Sequence, residues 1–249
     1  MKKHILIFST VILSICLMAM GLKNYHTPFK GDKKKNYSDV YYRIGSLFDP
    51  IKKSEIRLMK SASDFNTKKE SKLIESYEST AIIIIENERQ SEIRKYGTTD
   101  ALNTEQLDLL NSLELASHFL IRTEFMKKNA ESGELEFAHY GPHYTIVPEK
   151  QAKYSKGNDA LLDYIIKGNK ENTAGIDESK LQFAKLNFTL SKQGTLANVF
   201  LERSCGIKSI DATLLKLLNS APGDWIPAET ESGEKVDQEF VITFGMGGC

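Results

Sequence analysis

The feature that most constrains this chain is the order of hydrophobic periods between residues 183 and 244: two, two again, then helical, then two. Leu186, Phe188 and Leu190 alternate with Lys185, Asn187 and Thr189, the pattern of a half-buried strand. Ser191, Lys192, Gln193 and Gly194 supply a short turn, with glycine where a positive φ is needed. The return strand carries Val199 and Leu201 inward. Leu196 is out of step with them, which predicts a β-bulge near Ala197 and Asn198. Ile210, Leu214, Leu217 and Leu218 then share one face of a helix over 210–219, capped by Ser209 or Asp211 and stopped by Pro222 and Gly223. In the last strand Val236, Gln238, Phe240, Ile242 and Phe244 point to one side, and Asp237, Glu239, Val241 and Thr243 to the other. Trp225, the single tryptophan, reads as core packing over the helix.

These elements predict an α+β fold: a C-terminal ββαβ three-stranded sheet with one packed helix, preceded by a small α+β domain and an N-terminal signal or anchor segment. The third strand can lie antiparallel beside the first, or parallel beside the second through a right-handed crossover. In both arrangements it lies at a sheet edge, where unpaired N–H and C=O groups can accept a partner strand. The candidate partner-binding residues are therefore Val236, Asp237, Gln238, Glu239, Phe240, Val241, Ile242, Thr243 and Phe244. Their free surface is the backbone edge and the outward Asp237, Glu239, Val241 and Thr243.

The run from Leu186 through Gly194 to Leu196, then Leu201-Glu202-Arg203-Ser204, Pro222-Gly223-Asp224-Trp225-Ile226-Pro227-Ala228 and Gly233-Glu234-Lys235-Val236, resembles the C-terminal domain of TonB-type energy transducers in its Bacteroidetes-like version. Pro148-Glu149-Lys150, continuing to Tyr164, resembles the segment leading into that domain. The resemblance spans residues 148–249. It implies a periplasmic domain that captures a short peptide of an outer-membrane receptor by strand addition, with force supplied by inner-membrane motor proteins. Three departures bear on that implication. His4 and Ser9 stand in the wrong order for the family's motor-facing pair. The six prolines are scattered instead of forming a spacer, and 168–177 lacks the family's Tyr-Pro. A linker over 23–36 reaches at most about 50 Å when extended.

Lys2 and Lys3 precede an apolar run over residues 5–20, about 16 residues against the roughly 20 of a comfortable span. Ala19-Met20-Gly21 has the small-x-small form of a signal-peptidase site. Residues 1–22 therefore read as an inner-membrane anchor or as a cleaved secretory signal, and both place the chain in the periplasm. Lysines beyond the run weigh against an N-in anchor under the positive-inside rule. Residues 23–36, with five lysines, form a basic linker, 37–147 an α+β domain of unassigned role, and 148–249 the TonB-like domain. In the middle domain, residues 54–65 have helical spacing and Ile82, Ile83, Ile84 and Ile85 read as a buried strand. Thr104 caps a helix through Leu113, and two strands flank a hairpin at 129–133.

Lysine plus arginine and aspartate plus glutamate number 33 each, so the net charge is zero and no nucleic-acid partner is suggested. Three cysteines are too few for a disulfide scaffold. Cys205 and Cys249 fall at the same end of the sheet, and a bridge between them or two free thiols both stay open, the intervening strand separating them by about 10 Å. His139 and His143 lack a converging metal motif, and Ser204-Cys205-Gly206 has no base beside it. No catalytic residue, metal or cofactor is assigned. The function expected is that of a TonB-like transducer or, alternatively, of a non-energised periplasmic protein-binding module using the same edge strand.

Overall fold

Ala184, Leu186, Phe188 and Leu190 are buried along β9 (Ala184–Leu190), as the alternation requires. The computed structural model describes residues 40–65, 74–129, 131–177 and 180–246. A turn with Gly194 at φ 83° returns the chain into β10 (Leu196–Arg203). A Cβ at Gly194 would lie 2.9 Å from the Trp225 carbonyl oxygen, so both conformation and space demand glycine there. The register slips between Ala197 and Phe200, with Asn198 at φ 50°, the bulge that the out-of-step Leu196 predicts. β14 (Gln238–Met246) pairs antiparallel with the other side of β9, from Gln238 opposite Leu190 to Phe244 opposite Ala184.

The expected three-stranded ββαβ unit is corrected here. A fourth strand, β1 (Val40–Gly45), pairs antiparallel with β14, and the sheet order is β1-β14-β9-β10. β14 is an interior strand along most of its length. Among the described residues the structure is mostly β, with several sheets, so the expected α+β class is corrected as well. The physical reason lies in the side chains. Ile242 and Phe244 are fully buried, and a terminal strand would leave one flank of each in water; Tyr42 and Ile44 supply that flank. Val40–Gly45 lie within the span expected for the middle domain, yet they belong to the C-terminal sheet.

Helices α3 (Asn158–Gly168) and α5 (Lys208–Asn219) place Leu161, Ile165, Ile210, Leu214 and Leu218 in one core with Leu186, Phe188, Phe240, Ile242 and Phe244. The apolar stripe of α5 is the expected one. Its cap is not: the N-cap is Ile207, which makes no side-chain capping bond. Ser209 lies inside the helix, and Asp211 accepts hydrogen bonds from the Cys205 N–H and the Ser204 hydroxyl, closing the loop that feeds it. β11 (Trp225–Ile226) pairs with β8 (Lys153–Tyr154), seating Trp225 between Tyr154 and Phe188 at 5.2 and 5.7 Å between ring centroids.

A second sheet holds the middle of the chain. β2 (Asp49–Lys52) runs parallel to β7 (His143–Val147). β3 (Ile74–Glu86) forms hairpin pairs with β4 (Arg89–Gly97) and lies antiparallel to β5 (His118–Lys128). β6 (Leu135–Tyr140) pairs with the far half of β5 and β7 with its near half, so the second arm of the expected hairpin is split at Gly141-Pro142. Helix α2 (Thr104–Ser112) puts Leu110 in a core with Ile82, Ile84, Phe119 and Ile121. Asn103, not Thr104, caps it, through a capping box with Gln106. The expected helix over 54–65 shrinks to α1 (Lys53–Ile56) and a short 3-10 turn, Ala62–Phe65.

Candidate functional site at the outer edge of the C-terminal sheet

β1 sits on β14 through six registered positions, from Val40 opposite Met246 to Gly45 opposite Val241. Its alternation is that of a half-buried strand. Tyr42 and Ile44 are buried at 5% and 3% exposure, whereas Tyr41 and Arg43 are half-buried. The Tyr42 ring stacks on Phe244, 5.8 Å between centroids at 15°, and Ile44 lies opposite Ile242. Burial, with the Cys205 thiol nearby, pushes the Tyr42 phenol up to about 12. Arg43 runs forward along the strand and donates to the Ser46 carbonyl at 2.8 Å.

Three residues join β1 to β2. The Ser46 hydroxyl donates to the Phe48 carbonyl at 2.7 Å, and the Phe48 N–H donates to Thr145 Oγ1 at 3.0 Å. Thr145 Oγ1 also lies 2.9 Å from His118 Nδ1, and burial holds the His118 imidazole below its usual range. An acceptor Nδ1 on a neutral ring fits this chain of bonds.

The proposed partner-binding residues divide by position. Val236 is not in β14; it ends the small strand β13 (Lys235–Val236), paired with β12 (Ala228–Glu229). Asp237 accepts from the Lys192 N–H at 2.7 Å. Gln238 is buried, and its amide oxygen accepts from the Ala152 N–H at 2.7 Å. Phe240, Ile242 and Phe244 are core. Val241 and Thr243 are buried on the opposite face at 8% and 6% exposure, so the expectation that they are free for a partner is corrected. Glu239 is exposed. β1 covers only Val241 to Met246; among the described residues no strand pairs with that side of Gln238, Glu239 and Phe240.

Beside this stretch opens a cleft of about 300 Å³, lined from one sheet by Thr189, Asn198 and Glu239, and on the other side by Thr145 of β7 and by Leu115 and Ala116 in the turn before β5. Ala116 and Asn198 both hold positive φ, 65° and 50°. Further along the same face, Lys185 of β9 is buried and bridges the two sheets. Its ammonium meets Glu88 in the β3–β4 turn and lies 3.0 Å from Glu202, while Arg203 lies 3.6 Å from Glu88. Burial raises the Glu202 carboxyl, but the Asn187 amide and the Lys185 ammonium outweigh it and hold the group below its ordinary range.

Cys205 is a buried free thiol that burial pushes up to about 12; Cys249 lies outside the described residues. His139 and His143 stand on separate strands, β6 and β7, with the His143 ring 5.1 Å from Phe48. Among the described residues no helix is long and apolar enough to cross a membrane, and residues 5–20 lie outside them.

No family model, curated protein or solved structure matches the chain. What the sequence reading missed is β1. Its signal is present, since Val40, Tyr42 and Ile44 alternate with Tyr41 and Arg43, but six residues isolated between a basic linker and a proline do not announce a strand pair about two hundred residues away.

Proposed function

We propose that this chain is an exported protein-binding module that recognises an extended peptide by strand addition on the outer edge of β14. The supporting observation is β1 itself. This edge takes a six-residue strand by backbone pairing and side-chain packing, from a segment distant in sequence. Strand addition draws its affinity from main-chain hydrogen bonds and its selectivity from alternate side chains, and both parts exist here. In the fuller version the module is the periplasmic part of a TonB-like transducer, whose partners are an outer-membrane receptor peptide and inner-membrane motor proteins. The spacing of the chain favours the non-energised version. The described sheet begins at Val40, so the 19 residues between it and an anchor over 5–20 can span at most about 65 Å.

The test is a pull of extended peptides onto the full chain, with proline placed in β14. Val241→Pro and Thr243→Pro each restrict the strand and delete an N–H. A variant that keeps its circular dichroism spectrum should lose peptide capture if its deleted N–H belongs to the outer ladder. If both folded variants capture peptide as the unaltered chain does, strand addition at β14 is wrong.

A further inference from the structure

We propose that β1 is a built-in competitor, and that it is also the template for the peptide the edge accepts. The inference rests on the strand-addition reading and adds regulation and partner chemistry to it. The groove beside β14 has two side-chain seats two residues apart. One is the flat face of Phe244, filled by the stacked Tyr42 ring, and the other flanks Ile242 and is filled by Ile44. The intervening Arg43 is half-buried and lies on the opposite side of the strand, so it fills neither seat. The fitting partner is an antiparallel extended segment with an aromatic residue and, two positions on, a branched aliphatic one. Such a segment must displace β1, because both cannot pair with Val241 to Met246 at once. In the resting chain, β1 thus lowers the apparent affinity by the fraction of time it occupies the edge.

The experiment uses the full chain in mild detergent and a fluorescent peptide copying residues 38–46, read by anisotropy. A control peptide carries serine at the positions of Tyr42 and Ile44. In the protein, Tyr42→Ser with Ile44→Ser weakens the resident strand, and Arg43→Cys with Thr243→Cys locks it to β14. The copy peptide should bind the weakened protein about tenfold or more tighter than the unaltered chain, and the control peptide about tenfold or more weaker than the copy, since two buried side chains separate them. The locked protein should bind neither.

Equal binding of copy and control would overturn the template while leaving strand addition standing. No binding to the folded weakened protein, or undiminished binding to the locked one, would overturn strand addition at this edge and the template with it. Should the weakened protein fail to fold, hydrogen exchange on the unaltered chain decides. A saturating copy peptide must speed exchange of the amides in 40–45, and unchanged exchange there overturns the proposal.

Discussion

The two sheets of this molecule solve the same problem by different routes. The larger sheet grows mostly from neighbours in sequence: β3 pairs with β4 across a two-residue turn, β5 pairs with β6 across the next hairpin and β7 returns onto β5, with only the short β2 arriving from a distance to lie parallel to β7. Its order follows the chain wherever hairpins dictate it. The C-terminal sheet has one local hairpin, β9–β10; its other two strands arrive from a helix crossover and from the far N-terminal side. Local pairing is set by turn chemistry and periodicity. Distant pairing is set by which flank of the core would otherwise stay wet. The lesson is that a strand's edge position belongs to the whole chain and not to the strand.

The largest expected effects compare the two cores. Trp225→Ala should cost about 3–5 kcal/mol, since the ring is buried among Tyr154, Phe188 and Phe240. Phe119→Ala should cost about as much in the larger sheet, where the ring is fully buried against Phe65 and Tyr144. Urea melts followed by Trp225 fluorescence, read on Phe119→Ala, sharpen the comparison. A shifted midpoint means that the sheets unfold together. An unmoved midpoint, with loss of far-ultraviolet signal at lower urea, means that they unfold separately.

The next effect concerns the link between them. Lys185→Ala leaves Glu88 and Glu202 without their shared cation. Breaking a fully buried pair costs about 3–5 kcal/mol. With both carboxylates about a third exposed, roughly 1–3 kcal/mol is expected by urea melt. A change below about 0.5 kcal/mol, the scale of an exposed pair, would mean that the bridge does not hold the sheets together.

Acid should separate the two regions most gently. His118, in the larger sheet, is depressed by burial, so the unfolded chain binds the extra proton first. Its contribution is lost as pH falls from the ordinary histidine value near 6.5 toward the lower folded one. Glu202, on the C-terminal sheet, is held below its ordinary range, so its contribution is complete above about 4.3 and is lost as pH falls toward its folded value. Stability against pH, measured for His118→Gln and Glu202→Gln, should flatten in these two separate windows. Flattening in the same window would remove the distinction.

Legibility followed the same division. The alternation of Leu186, Phe188 and Leu190, the bulge at Asn198, the α5 stripe and the packing role of Trp225 all rest on near neighbours, and each was readable. The interior place of β14 was not, because Tyr42 and Ile44 carry no mark that ties them to Phe244 and Ile242. The helix caps were misplaced by small steps, Thr104 for Asn103 and Ser209 or Asp211 for Ile207, since adjacent polar residues compete for a cap and loop closure can claim one first. Val241 and Thr243 read as outward and are outward from the helices, yet they are buried, as is Lys185 beside them on the face from which Lys185 reaches the second sheet. A single strand's pattern cannot report a second layer.

The central claim, that β1 occupies the β14 edge in this register, is tested most directly by cross-linking. Opposed residues of an antiparallel pair lie about 4.5–5.5 Å apart between Cα atoms, within disulfide reach. Arg43→Cys with Thr243→Cys should therefore bridge on mild oxidation. Arg43→Cys with Glu239→Cys, displaced by four residues or about 13 Å along the strand, should not. Peptide mapping that finds the first bridge and not the second supports the account. The absence of the 43–243 bridge in folded protein, or equal yields of the two, would contradict it.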